Sequence, residues 1–218
     1  MIITTQKSLK DIIKGAHGAK SVFIVGCGDC STLCRTGGWR QIDEMKERLA
    51  QNGIAVTGSD VVNAACHELD TQRVLRKNKE AVADAEALLA MTCGAGVQAV
   101  GDYCKKPVIS GCDSLFIGNS KRQMRFYEKC SACGDCVLNM TCGLCPVTRC
   151  PKGLLNSPCG GAKGGKCEVD GRNDCVWILI FDRMKSMGRL DDFMEIIEPK
   201  DYSISQKPHR LEEPVRPG

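Results

Sequence analysis

The chain has 218 residues, enough for one large domain or two small ones, and Lys plus Arg outnumber Asp plus Glu by 30 to 26. The excess is spread without a long basic run and aromatics make up only 5%, which argues against a nucleic-acid groove lined by stacking rings. No apolar stretch reaches the ~18 residues needed to cross a bilayer, and the N-terminus lacks the apolar core of a secretory signal, so a cytoplasmic protein without membrane insertion is expected.

Ser8 followed by Asp11 has capping-box spacing, with Leu9, Ile12 and Ile13 on one face, and predicts a short first helix. The uninterrupted apolar run "SVFIV" predicts a strand buried on both faces. "GWRQIDEMKERLAQNG" predicts a helix stopped by Gly53. "IAVTG" predicts a second strand and "TQRVLRKNKEAVADAE" one long helix. "ALLAM", "GVQAVGDYC" and "PVIS" then predict a third strand, a helix and a fourth strand. Strands alternating with helices imply a parallel, doubly wound α/β domain of Rossmann or flavodoxin-like type over residues 1–120. "KRQMR" at 121–125 reads as a solvated linker.

Between Cys130 and Cys175 the chain is rich in Gly and Pro, with few, scattered apolar residues. Such a segment cannot bury enough surface to order itself, so a group bound by its cysteines is expected to act as its core. "VWILIFDRMKSMG" predicts a closing helix ending at Gly188, with Trp177, Leu179, Ile180, Met184 and Met187 sealing this domain or packing on a second protein. The predicted organisation is therefore 1–120, a cysteine-rich domain at 121–198, and a flexible or partner-wrapping tail at 199–218.

Sixteen cysteines in a reducing compartment point to metal rather than disulfides. Cys130, Cys133 and Cys136 form C-x2-C-x2-C, which brings three thiolates to one small object from a single loop. In bacterial ferredoxins a further cysteine of the run precedes proline, and here both Cys145 and Cys150 do so. Cys159, Cys167 and Cys175 complete eight ligands, enough for two [4Fe-4S] clusters, with Cys142 as a spare. Structural zinc is the alternative, but zinc sites pair two C-x2-C knuckles or include histidine, and no histidine lies between His67 and His209.

Cys27, Cys30 and Cys34 follow the first predicted strand, and Cys93 follows the third. In a parallel sheet these strand ends share one edge, where doubly wound folds bind ligands. Cys27, Cys30, Cys34 and Cys93 are the preferred holders of a third [4Fe-4S] cluster. Cys66 is the main competitor for fourth place and Cys112 a further one. Zinc, with His67 as a ligand, is the second choice of metal. Cys104 reads as an ordinary small residue. "GCGDCS" lacks the third glycine of a dinucleotide-binding fingerprint and the acidic residue ~20 positions on. No Ser–His–Asp set, carboxylate pair or P-loop is present, so no catalytic residue is assigned.

The string "CSACGDCVLN…CPVTRCPKGLLNSPCGG…GKCEVD…DCVW", continuing through "GRLDDF" to "PKDYS", resembles the cysteine-rich domain at the C-terminus of some methylenetetrahydrofolate reductases. That domain also occurs as the separate iron–sulfur small subunit of the two-subunit enzyme of acetogenic-type anaerobes, which works in one-carbon metabolism of the Wood-Ljungdahl type. "GCGDCSTLCRTGG" and "MTCGAGVQAV" extend the resemblance to the small subunit into the N-terminal domain. It implies the same eight ligands, and an electron-transfer subunit without a substrate site of its own. The implied partners are a flavin-containing (FMN) methylenetetrahydrofolate reductase catalytic subunit, and a ferredoxin or another protein as electron donor. The competing expectation is a zinc-stabilised, non-redox scaffold subunit.

Overall fold

Ser8 caps the first helix as its spacing predicts: its hydroxyl accepts the Asp11 amide at 3.1 Å, and α1 runs Leu9–Gly15. Before it lies a strand that the sequence did not signal, β1 (Ile2–Gln6). The computed structural model describes residues 1–122 and 124–210, and the chain divides into two units, Met1–Tyr127 and Glu128–Gly218.

The apolar run becomes β2 (Ser21–Cys27), buried on both faces. Alternate side chains point to opposite faces of a strand. Val22 and Ile24 accordingly join Ile12, Ile42 and Met45 in one core, while Phe23 and Val25 join Leu75, Leu88 and Val100 in the other. Each fully buried side chain of this kind contributes about 1.5–3 kcal/mol, so β2 is the anchor of the unit. The chain continues through α2 (Cys30–Leu33), α3 (Trp39–Ala50), β3 (Ala55–Val62), α4 (Glu68–Lys77), α5 (Lys79–Asp84), β4 (Ala87–Met91), α6 (Gly94–Tyr103) and β5 (Val108–Ser110). The sheet is parallel, with order β3-β2-β4-β5. This is the flavodoxin-like winding, whose direction of progression reverses between β2 and β4.

The predicted single helix over "TQRVLRKNKEAVADAE" is two helices broken at Asn78. The Asn78 side-chain amide donates to the Val74 carbonyl at 2.9 Å and to Asp60 on β3 at 2.8 Å, while its backbone amide still reaches Val74 at 3.2 Å. Lys77 also donates to Asp60, at 3.0 Å. Burial works against ionisation of Asp60, but the bonds from Asn78 and Lys77 prevail and hold its carboxyl below the usual aspartate value. Its stabilising contribution is thus complete above the unfolded-state value of about 4 and fades as pH falls through the lower folded-state value. Asp60→Ala is expected to cost about 1–3 kcal/mol in urea unfolding at pH 7, and less near pH 3. An equal loss at both pH values would contradict this account.

Beyond β5 the parallel winding stops. Strand β6 (Cys112–Arg122) runs antiparallel to β1, from Ile2↔Ile117 to Gln6↔Cys112, and β7 (Arg125–Cys130) completes a three-stranded sheet of order β1-β6-β7. Of the supposed linker, Lys121 and Arg122 end β6 and Arg125 begins β7. The boundary expected at 120/121 falls inside β6.

The second unit has little regular structure: α7 (Pro146–Arg149), α8 (Val176–Ser186) and two 3-10 turns, Asp191–Met194 and Tyr202–Ser205. It has a small apolar core of its own, made by Leu144, Val176, Trp177, Ile180 and Met184, with Phe193 edge-on to Trp177 at 6.1 Å. Leu179 packs against this core, whereas Met187 is 58% exposed and does not seal it. Within the segment expected to form a flexible or partner-wrapping tail, 199–218, Lys200 is buried and Ile204 sits where a side chain at Gly134 would be, while residues 211–218 lie outside the described residues. Among the described residues no helix is long and apolar enough to cross a membrane.

Candidate metal centre

In the first unit every strand of the parallel sheet delivers cysteine at or just beyond its C-terminal end. Cys27 is the last residue of β2, Cys30 begins α2 and Cys34 caps it. Cys66 follows β3, Cys93 caps the N-terminus of α6 just after β4, and Cys112 opens β6 just after β5. The progression reverses between β2 and β4, so Cys27 and Cys93 flank the position where doubly wound sheets leave a crevice.

Backbone contacts fix the loop carrying the first three thiols. The Cys27 amide donates to the Gly37 carbonyl at 3.0 Å, the Thr32 hydroxyl to the Cys27 carbonyl at 2.7 Å, and the Cys34 amide to the Cys30 carbonyl at 2.9 Å. From β1, the Ile2 amide donates to Cys30 Sγ at 3.4 Å, and Cys34 Sγ lies 3.9 Å from the Ile2 carbonyl. The unpredicted strand β1 therefore forms one wall of the site.

The thiols crowd each other electrostatically. Burial raises the Cys30 thiol against the help of the Ile2 amide, and burial first and then the neighbouring Cys93 raise Cys66. Burial pushes Cys112 up to about 12, with Cys93 and Cys34 adding to the rise. Cys93 is thus the common neighbour of Cys30, Cys66 and Cys112. Burial and mutual repulsion keep Cys30, Cys66 and Cys112 as neutral thiols, and they could ionise together only beside a cation. Cys112 is the most core-like of the group, packed with Ile24, Ile42 and Met91 and directed at the Thr36 carbonyl. His67 is occupied with Asp70, its Nδ1 3.4 Å from the carboxylate. Cys104 packs against the other core, as an ordinary small residue does.

In the second unit Cys150, Cys159, Cys167 and Cys175 line one small cavity of about 20 Å³, together with Glu168 and Trp177. A glycine-rich turn joins them: the Cys167 amide donates to Asn173 at 2.9 Å and the Cys175 amide to Gly165 at 2.8 Å. Cys175 then caps α8, whose Trp177 and Ile180 enter the small core. The Cys159 thiol donates to Glu168 Oε1 at 3.5 Å, and Lys152 pairs with the same carboxylate. Neither Lys152 nor Glu168 stood out in the sequence, although each lies within two residues of a cavity cysteine.

The C-x2-C-x2-C loop is separate from that cavity. Cys130 ends β7, after which Ala132 and Gly134 take left-handed φ of 53° and 83°. This curl brings the Ala132 amide onto Cys130 Sγ at 3.3 Å. Cys145 caps α7, with Pro146 in the first turn, where proline sacrifices no amide bond. Cys142 is partly packed against the core and takes a contact from Arg189 at 3.6 Å. Among the described residues no three His, Cys, Asp or Glu side chains stand close enough to share one metal ion in this arrangement.

Comparison with known proteins bears on one part of the chain. No curated protein matches it. Two solved structures resemble part of it: arylmalonate decarboxylase as a glycine-to-cysteine mutant in a sulfate-associated form, and arylmalonate decarboxylase itself. They are 17% and 15% identical, with TM-scores of 0.33 and 0.34, over 47% and 46% of this chain and 46% of each of theirs. The chain thus spans about half the length of either, and similarity at this level bears on neither fold nor chemistry. The family model described as methylene-tetrahydrofolate reductase C terminal matches residues 109–203, from β5 through all eight cysteines predicted to hold the C-terminal clusters. Residues 109–203 are therefore similar to the C-terminal domain of methylenetetrahydrofolate reductases, over less than half of the chain.

Proposed function

We propose that the chain is an iron–sulfur electron-transfer subunit of a methylenetetrahydrofolate reductase. It would take single electrons from a ferredoxin or another protein donor. It would pass them to the flavin, FMN, of a partner catalytic subunit that reduces methylene- to methyltetrahydrofolate. The observation that carries this reading is the gathering of Cys150, Cys159, Cys167 and Cys175 around one cavity inside the family-matched segment. The all-sulfur donor set fits a thiolate-ligated cluster, since no histidine lies between Cys130 and Cys175.

The eight C-terminal thiols divide on this reading into two sets. Cys150, Cys159, Cys167 and Cys175 hold one [4Fe-4S] cluster, and Cys130, Cys133, Cys136 and Cys145 the other. A third metal group, [4Fe-4S] or zinc, is assigned to Cys27, Cys30, Cys34 and Cys93, with Cys66 at the same edge. When bound, a cluster supplies one-electron transfer at a potential set by charge, hydrogen bonds to sulfur and exposure.

The chain's own groups prepare the sites. Amides of Ala132 and Ile2 donate to Cys130 and Cys30 sulfur. Glu168 Oε1 already accepts the hydrogen that Cys159 must lose to become a ligand. Metal and acid-labile sulfide content of protein purified without oxygen, with EPR after reduction, tests the reading. About twelve irons and twelve sulfides, or about eight of each with one zinc, are expected. Zinc alone, with no reducible signal, would sink it in favour of the scaffold.

A further inference from the structure

Lys200 is a lysine out of place. Its side chain is 1% exposed, and its ammonium has no hydrogen-bond partner among the described residues. Lysine is almost never fully buried without a partner, because taking an ammonium out of water is costly unless negative charge stands beside it. The nearest such charge is Asp135, its carboxylate oxygen 3.5 Å away and its side chain half exposed. Asp135 belongs to the C-x2-C-x2-C loop, two residues after Cys133 and immediately before Cys136.

A second contact fixes the segment on that loop. Gly134 has φ of 83°, and a Cβ there would stand 2.9 Å from Ile204 Cγ1. Lys200 and Ile204 thus clamp neighbouring residues of the turn that presents Cys133 and Cys136. One half-exposed carboxylate is weak compensation for a buried ammonium. Three thiolates and the anionic group they would hold make a strong one.

We infer that Lys200 is the counter-charge of the cluster carried by Cys130, Cys133, Cys136 and Cys145, and holds its reduction potential above that of an uncompensated site. The inference rests on the iron–sulfur reading given above. The electron transfer it acts on is simple: a low-potential protein donor loses one electron, the site gains it, and no proton moves. The loop then carries one more negative charge, which a fixed ammonium favours. Lys200 is a positioning and charge-setting residue; it touches no substrate.

The test is an EPR-monitored redox titration of the full chain purified without oxygen, following the signal that Cys133→Ala removes. Lys200→Met is expected to keep full iron and sulfide while its reduction equilibrium falls at least tenfold, 59 mV for one electron. Lys200→Arg, which keeps the charge, is expected to titrate as the parent does. Asp135→Asn removes the competing negative charge and should move the equilibrium about threefold the other way. Lys200→Met with full iron and the parental potential would overturn the inference, as would equal shifts in Lys200→Met and Lys200→Arg, which would indicate packing. If Lys200→Met fails to hold iron, Asp135→Asn decides, and an unchanged or lowered potential there refutes the role. Absence of iron or of a reducible signal in the parent chain would refute the iron–sulfur reading itself, before any variant is made.

Discussion

Cys167→Ala is expected to release about four irons and four sulfides from the anaerobically purified chain, and to leave the set held by Cys130, Cys133, Cys136 and Cys145 in place. Cys133→Ala is expected to release the other four, and the double variant to lose both. The cavity is the reason: Cys167 shares it with Cys150, Cys159 and Cys175, whereas Cys130, Cys133, Cys136 and Cys145 do not line it. If the ligands were interleaved, as when the last cysteine of a ferredoxin run serves the other cluster, a single substitution would disturb both signals. The loss also has a structural consequence. The apolar core of the second unit consists of few side chains, and Cys150 and Cys175 pack directly against it. Cys167→Ala should therefore be cut by protease around 150–175 at concentrations the parent resists. Cys142→Ala is the control, expected to keep all its iron, because Cys142 meets Arg189 and the core rather than the cavity. A Cys167→Ala variant with full iron and parental protease resistance would end the assignment.

Gly37→Ala is expected to destabilise the first unit by about 1–3 kcal/mol or more and, on the proposed iron–sulfur reading, to remove the metal assigned to Cys27, Cys30, Cys34 and Cys93 while the C-terminal irons stay. A Cβ at Gly37 would stand 1.7 Å from the Met91 carbonyl oxygen at the end of β4, and one at Gly26 would stand 2.4 Å from the Gly37 carbonyl. Both obstacles are backbone, so relief comes only by lifting the loop that carries Cys27, Cys30 and Cys34 away from β4 and Cys93. Thermal unfolding should drop by several degrees. Gly101→Ala is the matched control. It lies in α6 with only Val108 near its added Cβ, at 3.9 Å, and alanine is the better helix former. A Gly37→Ala protein with the parental midpoint and full metal would show that the close approach is not what holds the loop.

The glycines of "GCGDCS" illustrate how far local sequence reaches. Their presence after a buried strand is plain in the sequence, and so is the tight turn. That Gly26 must admit Gly37, and Gly37 must admit Met91, depends on three segments meeting in space. The helix break at Asn78 is similar. The run "VLRKNKEAV" reads as helix throughout, and only the folded chain brings Asp60 of β3 onto the Asn78 side chain at the break.

The sequence by itself determined the parallel α/β unit, since an uninterrupted apolar run such as "SVFIV" satisfies only a strand covered on both faces. It also determined which residues are candidate ligands, because thiol spacing is a local property of the chain. Tertiary structure alone decided how those thiols are grouped. Four of them share a cavity because a glycine-rich turn folds Cys167 and Cys175 together beside Cys150 and Cys159. Strand β1 reaches the site by pairing with β6, more than 100 residues away, and such a pairing leaves no periodic trace in a five-residue run. Lys200 followed the same course. Within "EPKDYS" it reads as one more solvated charge, and only the folded chain seals it against the loop of Cys133 and Cys136.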